Sequence, residues 1–361
     1  MSKIKVIVIV GPTASGKTSL GIHIAKQFNG EVVSGDSMQI YENMDIATAK
    51  PTQEEMDGIK HHLIGFVNPQ NEYSVASFCE DAKNAVEEIV RSGKTPVIVG
   101  GTGLYIDSFI NNITFFDDAN SPEIREQLYK ELNEFGIEKL YNELLLVDSE
   151  AAKKIHPNNE VKVIRALEIY RSTGKNLTEQ NKQSRNIESE YEPLYIGISY
   201  KDREKLYERI NKRVDIMLQN GLLEEAKDFY KEYASKTAVG AIGYKELKPF
   251  IDGEKTLEEC VDHLKQATRR YAKRQLTWFN RNEKINWVYP DTYEDINLLY
   301  NETERLVKDF LKGEWKYAWQ TSKISSVRTC RSFYPFIFNL SGCFNFKIRN
   351  WNTNRNERNS L

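Results

Sequence analysis

The sequence predicts an α/β protein, a parallel sheet flanked by helices that carries an inserted all-helical domain. Three observations predict it. Short β-branched runs alternate with amphipathic helical stretches, as strand–helix–strand units require. One such run, residues 95–99, is apolar throughout, which suits a strand covered on both faces. From residue 121 to about 190 the alternation stops and helix follows helix with no strand.

In chain order, residues 3–10 form the first strand, and residues 19–28 place Leu20, Ile24 and Phe28 at helical spacing. Residues 31–34 are a second strand. Residues 77–91 form a helix with Phe78, Ala82, Ala85, Val86, Ile89 and Val90 on one side, and 95–99 are the third strand. Ser121-Pro122-Glu123 opens a helix with proline in its first turn. Strands resume at 194–199 and 285–289, so the helical segment 121–190 interrupts a core made of residues 1–120 and 191–314. Residues 202–281 are mostly helical, and 302–311 read as a closing amphipathic helix.

Composition narrows the function. The 361 residues hold 50 Lys and Arg against 52 Asp and Glu, which excludes nucleic-acid binding by bulk charge but leaves room for a local basic face. The one long apolar run, residues 4–10, is too short to span a bilayer and starts too early for a signal or transit peptide. Cys79, Cys260, Cys330 and Cys343 show no CxxC spacing, so no zinc or disulfide framework is indicated. The expectation is a cytoplasmic monomer without a membrane partner. Residues 315–361 carry +7 and ten aromatics, leaving −9 on the rest. This tail has no sustained period; it reads as a disordered appendage or as a basic, aromatic nucleic-acid arm.

Gly11-Pro12-Thr13-Ala14-Ser15-Gly16-Lys17-Thr18 matches GxxxxGK[ST] after an apolar strand and before a helix, which makes the fold P-loop NTPase-like. Backbone N–H groups would wrap phosphate oxygens, Lys17 would add a charge, and the Thr18 hydroxyl could hold Mg²⁺. A nucleotide- or ATP-binding loop is the general reading. The usual metal-binding acid is missing, however: residues 96–99 run into Gly100-Gly101-Thr102-Gly103, with no acid before Asp107. The loop would then serve a diphosphate leaving group rather than a γ-phosphate.

Asp36 follows the second strand and would face the same crevice, either as a general base or as a turn cap. Ser37 and Gln39 could hydrogen-bond a base edge. His61-His62 cannot both ligate one metal from a helix. Residues 265–284 carry seven basic residues and one acid, with Arg270, Lys273, Arg274 and Arg281 roughly on one helical face. That face is either solvated surface or a site for RNA phosphates.

Taken in order, these blocks resemble the tRNA dimethylallyltransferase family, also called tRNA isopentenyltransferases. The resemblance runs over about residues 4–312 and includes Ser34 to Pro51, His61-His62-Leu63, Gly100 to Ile106, His156-Pro157-Asn158, Arg165-Ala166-Leu167-Glu168, Ile242-Gly243-Tyr244-Lys245-Glu246 and Arg270 to Trp278. It implies transfer of a dimethylallyl group from dimethylallyl diphosphate to the exocyclic amine of the adenosine 3′ to the anticodon in tRNA. Lys17, Thr18 and Mg²⁺ would hold the diphosphate within the loop Gly11 to Thr18, with Arg209 or Arg213 as a second clamp. Asp36 would be the base, and Thr102 would hold the same region. The resemblance further assigns tRNA contacts to Ser37, Met38, Gln39, Arg125, Lys162, Arg165, Lys245, Arg270, Lys273 and Arg274, with the helical insertion gripping the anticodon stem-loop. Lys162 departs from the family's usual arginine and loses its bidentate geometry. The rival readings are a small-molecule or nucleotide kinase, which ATP consumption would mark, an enzyme that modifies free adenine nucleotides, against which the basic segment 265–284 argues, and a non-enzymatic RNA-binding module, against which intact Lys17, Thr18 and Asp36 weigh.

Overall fold

A computed structural model describes residues 3–115, 121–184, 188–231 and 235–313. Strand β1 (Ile4–Val10) leads to α1 (Lys17–Gln27), β2 (Gly30–Ser34), α2 (Gln53–Met56), β3 (His61–His62), α3 (Val75–Arg91), β4 (Thr95–Gly100) and α4 (Gly103–Ile110). Four helices follow: α5 (Pro122–Val147), α6 (Ser149–Lys154), α7 (Glu160–Thr173) and α8 (Leu177–Gln183). The chain returns to the sheet as β5 (Tyr191–Ile198). It then forms α9 (Arg203–Gln219), α10 (Leu222–Phe229), α11 (Lys236–Val239), α12 (Tyr244–Ile251) and α13 (Leu257–Phe279), and ends as β6 (Asn286–Val288) and α14 (Ile296–Lys312).

The six strands are parallel in the order β3-β2-β4-β1-β5-β6. β1 sits centrally because both of its faces are apolar. Val6, Val8 and Val10 pack toward α3 and α4 through Phe78, Val86, Ile89, Ile106 and Phe109, while Ile7 and Ile9 pack toward α1 and α14 through Leu20, Ile24, Leu299, Val307 and Phe310. Period-two alternation thus feeds two cores, and the sequence reads as an unbroken apolar run. Val8 pairs with Ile98 on one side and Tyr195 on the other. This register brings the carboxyl ends of β1, β2 and β4 to one edge, where ligands bind in parallel sheets.

Helices α5–α8 contain no strand and share an apolar cluster of their own, with Leu128, Leu140, Leu144, Val163 and Leu167 fully buried. α5 is broken at Gly136, where φ is 78°. Residues 1–315 nonetheless form one unit that includes these helices. The tail from 315 onward lies outside the described residues.

Two readings of the sequence differ from the structure. Edge strand β3 was invisible because two residues show no period; it pairs with Val32 and Val33. Its histidines therefore point to opposite faces, and His62 Nε2 meets Glu31 Oε2 at 2.6 Å. Val90, expected on the buried side of α3, is 40% exposed because it lies at the edge of that stripe.

Candidate active site

The phosphate loop joins β1 to α1. Gly16 takes φ 98°, a left-handed conformation that glycine adopts at little cost, and it turns the chain into α1 without a side-chain cap. The N–H groups of the first turn, which includes Lys17 and Thr18, thus lack intrahelical partners and point outward. Ser15 Oγ is buried inside the loop without a hydrogen-bond partner.

A cavity of about 230 Å³ opens beside this loop. Thr13, Lys17 and Thr18 line it with Asp36, Ser37, Met38 and Gln39 from the end of β2, Arg213 from α9, and Tyr271, Arg274 and Gln275 from α13. Burial, then the charge of Arg213, lowers the Lys17 ammonium to a pKa of about 8, with Asp36 pulling the other way. Burial also lowers the Arg213 guanidinium. Lys17, Arg213 and the Asp36 carboxylate thus share a partly desolvated space, which Lys245 and Arg274 also line. Burial raises the Tyr271 phenol, so it stays protonated.

The two candidate clamps take different places. Arg213 lines the cavity, whereas Arg209 lies outside the loop, donates from Nε to the Ala14 carbonyl at 3.0 Å, and stacks over Tyr200. Asp36 Oδ1 accepts from Met38 N–H at 2.9 Å, so its carboxylate both caps the turn and faces the cavity. Thr102 is turned against the Asp36 loop: its hydroxyl accepts from Ser37 N–H at 3.0 Å and donates to Ser37 Oγ at 3.2 Å. Gln39 has little amide left for a base. Its Oε1 accepts from Ser34 Oγ, and its Nε2 donates to the Thr48 and Ala49 carbonyls.

The remaining candidates spread outward. Lys245 lines the cavity half exposed, 3.6 Å from Glu246. Arg274 lines it too, while Arg270 and Lys273 are exposed on the same helix, α13. Lys162 is exposed on α7. Arg125 and Arg165 converge on Glu168, which is fully buried and also accepts from Ser121 N–H at 3.2 Å. Both arginine side chains remain partly exposed, at 45% and 41%.

Three residues carry parts of the site's geometry that the sequence reading did not assign to them. Gln275 is buried and bridges two loops, its Oε1 accepting from Thr13 N–H at 2.8 Å and its Nε2 donating to the Gly101 carbonyl at 3.0 Å. A Cβ at Gly101 would sit 2.2 Å from that Nε2, so only glycine permits the bridge. Glu225 of α10 accepts from the N–H groups of Asp45, Ile46 and Ala47 and from the Tyr244 hydroxyl, fixing the loop whose Ala47 and Thr48 line the cavity. His61 lines a small adjoining cavity with Lys17, Thr18 and Asp36. Its Nδ1–H donates to the Ile59 carbonyl at 2.9 Å, leaving a buried, unpartnered Nε2. Gln275 and His61 fall inside the family-like blocks, but their roles, like that of Glu225, show only in the fold, where Gln275 and Glu225 bond segments more than 170 positions away.

The implied Mg²⁺ fits the donors present. The Thr18 hydroxyl and the Asp36 carboxylate face one space, and hard cations of this kind take one or two protein oxygens beside substrate phosphate and water. Among the described residues, no group of three or more His, Cys, Asp or Glu offers an alternative.

Comparison with known proteins agrees with the geometry. The family model for IPP transferase matches residues 39–282. The tRNA dimethylallyltransferase of Thermoanaerobacter sp. (strain X514) is 46% identical over 317 residues, covering 87% of this chain and 99% of that protein. The Bacillus subtilis (strain 168) tRNA dimethylallyltransferase is 48% identical over 287 residues, 79% of this chain and 91% of its own. Among solved structures, the tRNA isopentenylpyrophosphate transferase of Staphylococcus epidermidis matches 85% of this chain and 100% of its own, at 45% identity and a TM-score of 0.62. A eukaryotic dimethylallyltransferase acting on tRNA matches 86% of this chain and 80% of its own, at 32% identity and a TM-score of 0.75. By sequence and by fold together, the chain belongs to the IPP transferase family.

Proposed function

We propose that this protein transfers a dimethylallyl group from dimethylallyl diphosphate to the exocyclic amine of the adenosine 3′ to the anticodon in tRNA, releasing diphosphate. The observation that carries this reading is the convergence of Lys17, Arg213, Thr18 and Asp36 on one cavity that also has apolar walls. Such a space suits an anionic leaving group, a short hydrocarbon and an amine to be deprotonated.

The N–H groups of the phosphate loop and α1, with Lys17 and Arg213, bind the diphosphate. Charge develops there as the allylic C–O bond breaks, so these groups stabilise the transition state more than the ground state. Thr18 would hold Mg²⁺, which would supply further neutralisation of that charge. The adenine amine forms the new C–N bond, the bonding pair of the C–O bond leaves with diphosphate, and the amine proton passes to Asp36. Thr102 holds the Ser37 N–H and thereby the Asp36 turn, acting as a positioning residue.

The adenosine must leave its stack to enter the cavity. Arg270, Lys273 and Arg274 on α13 and Lys245 on α12 offer phosphate contacts around the cavity, while Arg125, Lys162 and Arg165 offer them from α5 and α7. Among the described residues, no helix is long and apolar enough to cross a membrane.

The test is incubation with labelled dimethylallyl diphosphate, Mg²⁺ and tRNA, followed by digestion to nucleosides. Label in a modified adenosine is expected. Label confined to unreacted diphosphate, or consumption of ATP without prenyl transfer, would refute the reading.

A further inference from the structure

The slot between α9 and α13 has a polar end and an apolar end, and two cross-helix contacts fix which is which. Arg269 Nη1 donates to Asn211 Oδ1 at 2.6 Å, and Lys265 Nζ meets Asp215 Oδ1 at 2.6 Å. The helices therefore run antiparallel. At one end stand Arg209, on the Ala14 carbonyl, and Gln275, on the Thr13 N–H. At the other end Met217 and Leu264 line the same cavity.

Along α9, Ile210, Val214 and Met217 recur at helical spacing and line the cavity next to Arg213. Ile210 and Val214 are buried, Leu264 is 2% exposed, and Ala241 and Ile242 also line the cavity. Met217 stands four residues beyond Arg213, about 6 Å along the axis at the α-helical rise. One isoprene unit is roughly as long as a helical turn, about 5 Å. A diphosphate held at Lys17 and Arg213 thus leaves room for one such unit before its tail meets Met217.

We propose that Met217 is the chain-length stop of this enzyme: its side chain ends the apolar slot after a single isoprene unit and excludes longer allylic diphosphates. This inference rests on the reaction proposed above. Methionine suits the task because its unbranched thioether fills an irregular gap, and shortening it opens space without disturbing the buried Val214 and Leu264.

The experiment compares the wild type with Met217→Ala and Met217→Trp, using dimethylallyl diphosphate and ten-carbon geranyl diphosphate with tRNA. The wild type should transfer the five-carbon group alone. Met217→Ala should raise the ten-to-five-carbon ratio of kcat/KM at least tenfold, the scale on which hydrophobic pockets discriminate by size. Met217→Trp should raise KM for dimethylallyl diphosphate at least tenfold while leaving tRNA affinity and inhibition by inorganic diphosphate unchanged. A Met217→Ala enzyme that keeps the wild-type ratio, or a Met217→Trp enzyme with wild-type KM, overturns the chain-length stop while the reaction itself stands. If the alanine variant does not fold, the tryptophan variant still decides. A wild type that transfers no five-carbon group overturns the reaction and the stop together.

Discussion

Lys17 is the residue whose chemistry the fold alters most. Its pKa of about 8 lies below the ordinary 10.5, so the unfolded chain holds more protons between those values. The burial cost is complete below pH 8 and fades as pH rises toward 10.5, so this group's contribution to stability improves across that window. A bound diphosphate would reverse the shift by offering an opposite charge. Binding at pH 8 should therefore take up about half a proton, measurable by calorimetry in buffers of different ionisation enthalpy. Met in place of Lys17 should abolish that uptake and weaken diphosphate binding, whereas equal uptake in both proteins would remove Lys17 as the source. Asp36→Asn keeps the shape and the oxygen that accepts from Met38 N–H but removes the base. Turnover should fall roughly 10²- to 10⁴-fold in single-turnover measurements with both substrates bound. A near-normal rate would reduce Asp36 to a turn cap.

Elements carry the next set of effects. The exposed face of α13 presents Arg270, Lys273 and Arg274, and reversing all three charges should weaken tRNA binding and flatten its salt dependence. Each lost phosphate contact lowers the slope of log K against log salt by up to about one unit. Reversing Arg270 and Lys273 alone should change binding of dimethylallyl diphosphate little, since of the three only Arg274 lines the cavity. An unchanged slope would mean that the face is only solvated. Glu225 tests the other side of the site. Its carboxylate accepts four hydrogen bonds, three of them from the backbone of residues 45–47. Glu225→Ala should destabilise the fold by about 2–4 kcal/mol, since charge-assisted bonds contribute roughly 1.5–3 kcal/mol each and water recovers part of the loss. Denaturant unfolding measures this, and a loss below 0.5 kcal/mol would show that the loop holds itself.

At the scale of the whole molecule, the sheet, the helices on its two faces, α5–α8 and α9–α13 make up the unit that precedes the tail. α14 closes it through Leu299, Val307 and Phe310, and ends at Gly313. The Thermoanaerobacter relative is covered over 99% of its length by 317 residues of this chain. Truncation after Gly313 should accordingly leave the melting temperature and tRNA prenylation unchanged. A sharp fall in either would make residues 314–361 part of the working protein.

The sequence by itself determined the features that local patterns encode. Apolar runs named the buried strands, Gly11 to Thr18 named a phosphate loop, and the string of motifs through Trp278 pointed to the family that the comparisons show. Each depends on spacing within a few residues. Only the tertiary structure decided what depends on distant segments meeting. It put Arg213 rather than Arg209 into the cavity, turned Thr102 onto Ser37, and tied Thr13 to Gly101 through Gln275. β3 was hidden because its pairing with β2 comes from register across a loop rather than from its own two residues. Neighbours in space 60 to 260 positions apart in the chain leave no period to read, and their energies appear only when packing brings them within hydrogen-bond reach.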